Sequence, residues 1–192
     1  MAIPVSVLQS TSPGSVIELF SIQLNTALHG ANTLYRFHNG ANLNANGEVV
    51  WAGNSYLRFP IDCSGFEFGS TGTLPRPKIS ISNIFGTITA IMQDVNETTV
   101  GNDLNGATFT RIRTLARYLD AANFTGGTNP FGTPDPTAEF PQEIYFLDRK
   151  VTETRDVVTW EAQSALDLVN VKLPQRIATK DIFPGIGAFL GF

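Results

Sequence analysis

A period-two alternation of apolar and polar side chains constrains this chain more than any other feature. In Val16–Asn25, Phe20, Ile22 and Leu24 alternate with Ser21, Gln23 and Asn25. Such a run turns one face inward and one outward, as a half-buried strand does. The rhythm returns at Leu34–His38, at Glu48–Trp51 with Ser55–Phe59, and at Lys78–Ser82, where Ile79 and Ile81 alternate with polar residues. Between these runs lie Asn39-Gly40-Ala41-Asn42, Asn46-Gly47 and Ala52-Gly53-Asn54. Asn and Gly tolerate the positive φ that tight turns require. Pro60 ends a run or marks a sheet edge. Glu143–Lys150 and Val157–Ser164 read as a long hairpin with a charged tip at Thr152–Asp156. Trp51 and Trp160 fall inside predicted strands and read as core residues.

Two segments depart from this rhythm. Ile84, Ile88, Ile91, Met92 and Val95 form one helical stripe, with Asn83 as its N-cap, so a three-turn helix lying on a sheet is expected. A core-covering helix is favoured over a partner-binding one, since a single stripe is what a surface helix shows. Thr108–Leu119 is ambiguous and is read as a strand, with Ile112, Ala116 and Tyr118 on one face and Phe109, Arg111, Arg113 and Arg117 on the other. Residues 121–138 form a Gly-, Pro-, Thr- and Asn-rich loop, longer than compact domains usually carry unless it is functional or mobile.

The fold class expected is mainly β: an antiparallel, barrel-like domain over 1–176 with an N-terminal extension, one or two short packed helices, and a C-terminal arm over 177–192. The 192 residues allow one large domain or two small ones. Charged residues are 16% of the chain, against an ordinary ~25%. That excludes a disordered chain and a long exposed helical rod. A net charge of −4 disfavours global attraction to nucleic acid or to an anionic membrane. No run of 18 apolar residues is present, so no membrane span is expected. Met1–Ser10 has no basic segment ahead of its apolar residues and does not read as a secretory signal.

Catalytic and ligand-binding signatures are absent from the sequence. His29 and His38 match no metal-ligand spacing, and there is no phosphate-binding, dinucleotide-binding or nucleophile-elbow motif. Cys63 is alone and reads as buried filler, because no basic neighbour in sequence would lower its pKa. No catalytic residue, cofactor or metal is therefore assigned. Arg111, Arg113 and Arg117 read as intersubunit or cross-strand ion-pair donors rather than nucleic-acid contacts. Loop 126–137, which contains Phe131, and the tip at Thr152–Asp156 are candidates for reaching neighbours. The apolar, Gly-rich terminus with Phe183, Phe189 and Phe192 is a third, packing on a neighbouring subunit or on its own body.

An ordered series of short pieces carries a resemblance. It runs Trp51-Ala52-Gly53-Asn54-Ser55-Tyr56, Phe59-Pro60-Ile61, Ser64-Gly65-Phe66-Glu67, Gly72-Thr73-Leu74-Pro75-Arg76-Pro77 and Ser82-Asn83. It continues with Gly86, Thr89, Val100-Gly101, Arg111 to Asn123-Phe124, Glu139-Phe140-Pro141, Arg149-Lys150, Ala165-Leu166-Asp167-Leu168 and Leu173-Pro174-Gln175-Arg176. Over residues 15–176 the chain resembles the minor tail protein L family of lambda-like, long-tailed phages.

The resemblance implies a structural protein at the distal end of the tail: a threefold hub between the sixfold tube-end ring and the central receptor-binding fibre protein. A homotrimer in the virion, assembled in the host cytoplasm, is implied, with the tape-measure protein as a further neighbour. The family commonly carries a cysteine-rich iron–sulfur region, but one cysteine cannot supply the usual four thiolates, so that cofactor is not expected here. Two other readings stand beside it. One is a β-barrel module that binds glycans or degrades the cell envelope. The other is the sixfold tube-end ring protein itself.

Overall fold

The computed structural model describes residues 3, 5–11, 14–40, 47–67, 74–167 and 179. Nine strands form its framework: β1 Val16–Gln23, β2 Leu34–His38, β3 Val49–Trp51, β4 Asn54–Arg58, β5 Ile61–Ser64, β6 Lys78–Ser82, β7 Thr108–Leu115, β8 Glu143–Glu153 and β9 Val157–Gln163. Two four-residue helices, α1 Val5–Leu8 and α2 Thr26–His29, and the longer α3 Thr87–Thr98 complete it. The strands make one sheet in the order β3-β4-β2-β1-β7-β8-β9-β6-β5. The mainly β expectation is borne out. All described strand pairs are antiparallel except β2 with β4. Its described edge strands, β3 and β5, do not pair with each other, so the sheet is not closed into a barrel. Consecutive strands β4 and β5 instead carry the chain across Phe59-Pro60, one pairing with β2 and the other with β6. Pro60 sits between the two strands, where its missing N–H interrupts neither ladder.

β1 explains how the sheet supports two cores. Phe20 and Ile22 point into a large core with Ile79, Ile81, Phe109, Leu147, Val158 and Trp160. Ile17 and Leu19, of opposite parity, point into a second with Val49, Trp51, Tyr56 and Leu119. The pairing of β1 with β7 runs without a shift from Val16–Leu115 to Gln23–Thr108. The change of buried face therefore comes from what covers each half of the strand, not from a bulge. The sequence shows the first alternation, whereas burial of Ile17 and Leu19 depends on the distant Trp51 hairpin.

α3 lays Ile88, Met92 and Val95 on the large core, as the stripe predicts. It starts later than expected. Ile84 and Phe85 lie outside the helix in an exposed turn, because Gly86, at φ +69°, breaks the helical path. Asn83 still serves the helix start: its Oδ1 accepts the Thr89 N–H at 3.2 Å. Gly30, which ends α2 at φ +72°, is needed twice over. A Cβ there would lie 2.4 Å from Thr98 Oγ1 of α3.

The strand expected over Thr108–Leu119 ends at Leu115, and Ala116–Tyr118 is a 3₁₀ turn. Arg117 thus leaves the row of strand arginines, and its guanidinium lies 5.6 Å from the Tyr118 ring centre. β8 runs three residues past the expected Lys150, so the hairpin tip shrinks to Thr154–Asp156. There the Thr154 hydroxyl donates to the Val157 carbonyl at 2.9 Å and receives the Val157 N–H at 3.0 Å. The arm over 177–192, with Phe183, Phe189 and Phe192, lies outside the described residues apart from Thr179. Among the described residues no helix is long and apolar enough to cross a membrane.

Candidate assembly surface

Register places four charged residues side by side. Glu18 of β1 stands opposite Arg113 of β7, and Arg111 stands opposite Glu143 of β8. Arg111 bridges both carboxylates: one terminal nitrogen donates to Glu143 at 2.9 Å and the other to Glu18. Arg113 donates to the second oxygen of Glu143 at 3.0 Å. Each guanidinium also covers an aromatic face, Arg111 over Phe66 at 4.5 Å and Arg113 over Phe140 at 5.4 Å. The Arg111 side chain is only 15% exposed. Burial opposes its charge, but Glu18 and Glu143 more than offset that, and its pKa rises. These two arginines therefore pair with carboxylates of the same chain, although Arg111 Nε is buried without a partner among the described residues.

The long loop is anchored by buried asparagines. Asn123 behaves as a strand substitute along the edge of β3: its Oδ1 accepts the Val50 N–H at 2.7 Å and its amide donates to the Val50 carbonyl at 2.6 Å. A blocked edge cannot template pairing with another chain. Asn129 donates to the carbonyls of Arg117 and Leu119 at 2.9 and 3.0 Å. Phe131 stands 58% exposed above this anchor, with its ring centre 6.0 Å from that of Phe124 in an edge-on pair.

The groups that would carry chemistry are occupied structurally. His29 accepts the Asn25 N–H at Nδ1 and lies 3.1 Å from the Asn105 carbonyl at Nε2. His38 accepts the Gly40 N–H at Nδ1 and meets the Gly47 carbonyl at 2.9 Å through Nε2. For His38 those partners match the tautomer protonated at Nε2. Burial, with Arg58 nearby, outweighs the Gly47 carbonyl and lowers the His38 pKa. Burial pushes the Cys63 thiol up to about 12, which keeps it protonated and unreactive at neutral pH. Trp51 and Trp160 are buried and offer no stacking platform. Among the described residues no three His, Cys, Asp or Glu side chains converge as a metal site.

His38 gives a pH dependence of definite sign. A folded-state pKa below the unfolded value of about 6.5 means that the unfolded chain binds the proton first. Stability from this residue is full above about pH 6.5 and falls as the pH drops below it. An NMR titration of the His38 ring should give a midpoint below that of free histidine; a midpoint at or above 6.5 contradicts this assignment.

Several large apolar side chains are exposed, Val100 and Leu57 among them, and two places gather them. Ile84 and Phe85 protrude at the β6–α3 turn, 64% and 88% exposed. Leu74, Pro75, Pro141, Ile144, Tyr145 and Leu166 line a groove of about 420 Å³ near the start of β8 and the end of β9. The sequence reading missed the first by placing Ile84 in the helical stripe. The signal available was Gly86, a turn former two residues further on.

The model of the phage minor tail protein L family matches residues 26–185, most of the chain. The chain belongs to that family. The expected resemblance is thereby borne out. Tail tip protein L of Escherichia phage lambda is 39% identical over 93 residues, 48% of this chain and 37% of that protein. The chain spans little more than a third of the length of that relative. Membership in the minor tail protein L family makes it a structural protein of a phage tail, which places it in the virion. An interior given over to packing and internally paired charge suits such a role.

Proposed function

We propose that the chain is a hub of the distal tail tip of a non-contractile long-tailed phage. It joins the end of the tail tube to the central receptor-binding fibre around the DNA channel. Family membership supports this reading, and one structural observation carries it: Arg111 and Arg113 are paired with Glu18 and Glu143, and both histidines are buried and hydrogen-bonded within the fold, while Phe85 and Phe131 project from turns and loops. A protein that works by geometry needs a stiff body and sticky projections; it needs no reactive group. Permanent interfaces bury apolar anchors and exclude charge from their centres.

The hub is a homotrimer whose neighbours are the tube-end ring protein, the fibre protein and the tape-measure protein. Arg117 on the 3₁₀ turn after β7 and Phe131 on the long loop, with Phe183, Phe189 and Phe192 of the arm, supply further contacts. The channel wall is neutral or acidic, so that DNA slides past. Arg111 and Arg113 suit this, since Glu18 and Glu143 neutralise them. Assembly takes place in the host cytoplasm.

Gold-labelled antibody against this chain, viewed on purified virions by electron microscopy, tests the placement. Label at the tip distal to the head is expected. Label along the tube or at the head would contradict it. The purified chain should neither bind glycans nor turn over peptidoglycan.

A further inference from the structure

An Asn-Gly pair can react with itself: the glycine nitrogen attacks the asparagine side-chain amide, and no Cβ stands in its way. The chain carries this pair at 39–40, 46–47 and 105–106. Asn46 lies outside the described residues. The other two pairs sit in opposite surroundings.

Asn39 follows β2 and is exposed. Gly40 beside it donates its N–H to Nδ1 of His38 at 3.2 Å. The other ring nitrogen, Nε2, meets the Gly47 carbonyl at 2.9 Å, which leaves the Nδ1 lone pair facing the Gly40 N–H. The ring is fully buried, and its backbone is paired on both sides, with Leu19 of β1 and Arg58 of β4. A base is thus fixed within hydrogen-bond reach of the proton that the reaction must remove.

At 105–106 the same N–H goes elsewhere. Gly106 donates to the Leu147 carbonyl at 2.7 Å, and the Asn105 carbonyl accepts from the Asn102 amide at 3.2 Å. Asn105 is exposed too, so access to water does not separate the pairs. A carbonyl takes no proton at neutral pH. That bond holds the nucleophile still without activating it.

We propose that Asn39 is a self-modification site, deamidated by attack of the Gly40 nitrogen with His38 as general base. His38 Nδ1 takes the Gly40 proton as the nitrogen bonds to Cγ of Asn39. The bond from Cγ to the side-chain amide nitrogen then breaks, and that nitrogen leaves as ammonia with the proton that His38 returns. Water opens the resulting cyclic imide at either carbonyl, giving aspartate or isoaspartate at position 39. Water is the co-reactant, and nothing is oxidised or reduced. Burial, with Arg58 nearby, favours the neutral ring, so the lone pair is available at neutral pH. Each event adds a negative charge at the end of β2, and isoaspartate also adds a methylene to the main chain there.

The test uses the full chain, incubated at neutral pH either folded or in guanidinium chloride and then digested with trypsin. Mass spectrometry with fragmentation separates Asn39 from Asn46 within the 37–58 peptide and reads Asn105 in another. Asn39 should convert at least about tenfold faster folded than denatured, part of the ~10²–10⁴-fold that a positioned base supplies. Asn105 should convert more slowly folded than denatured. His38→Asn keeps an acceptor for the Gly40 N–H but no base, and should bring folded Asn39 down to the denatured rate or below. Circular dichroism shows whether that variant folds; where it does not, the wild-type comparison decides alone. Asn39 that converts no faster folded than in denaturant overturns the proposal. So does a folded His38→Asn chain that converts at the wild-type rate, or an Asn105 that keeps pace with Asn39 in the folded chain.

Discussion

Trp160→Ala should cost roughly 3–5 kcal/mol of folding stability, the range for truncating a large buried aromatic. Trp160 is fully buried at the middle of β9, facing Ile79 of β6 and Lys150 of β8. Its indole N–H also donates to the Asp103 carbonyl at 3.0 Å. Asp103 sits at φ +51°, in the segment that returns the chain from α3 to β7. Its carboxylate meets Lys150 at 2.8 Å and accepts from Asn96 at 2.9 Å, and those bonds hold its pKa below the usual range. The indole thus fills the large core and fastens the strap that seats α3. For a domain of this length the loss should lower the melting midpoint by about 6–20 °C. Trp160→Phe keeps most of the volume and drops the hydrogen bond, so it should cost only about 1–3 kcal/mol. Calorimetry on both variants checks this. Equal losses would mean that the strap, not the packing, dominates.

Arg111→Leu should cost about 2–4 kcal/mol, because Glu18 loses its cation and Glu143 keeps only Arg113. Glu18 is 41% exposed, and water screens part of that penalty, which favours the lower half of the range. Arg111→Lys should fall between, since one ammonium cannot bridge two carboxylates and lie flat on a ring. Adding Glu18→Gln to Arg111→Leu should recover part of the loss by removing one stranded charge. Urea denaturation of the set measures each step. A wild-type midpoint for Arg111→Leu would show that the network adds nothing to stability.

Local pattern made some of this architecture readable, and long-range pairing made the rest unreadable. The Ala52-Gly53 turn, with both residues at positive φ, matches its sequence signal, and so does the α3 stripe. The role of Asn123 does not. Nothing local says that an asparagine in a Gly- and Thr-rich loop will mimic a strand along Val50, 73 residues away. The arginine row shows both sides. Parity put Arg111 and Arg113 on the face of Phe109, but only the register of β1 and β8 reveals the acids that claim them. Ile84 and Phe85 escaped because a helical stripe extends in sequence past a glycine that ends the helix in space. The family was legible from spaced fragments because their order survives even where each fragment is unremarkable.

A nonsense mutation in this gene within its phage, followed by electron microscopy and plating, tests whether the chain is an indispensable part of the tail tip. Particles made without the polypeptide should lack a finished tail tip and fail to infect, and supplying it in trans should restore both. Complete, infectious tails assembled in its absence would contradict this role.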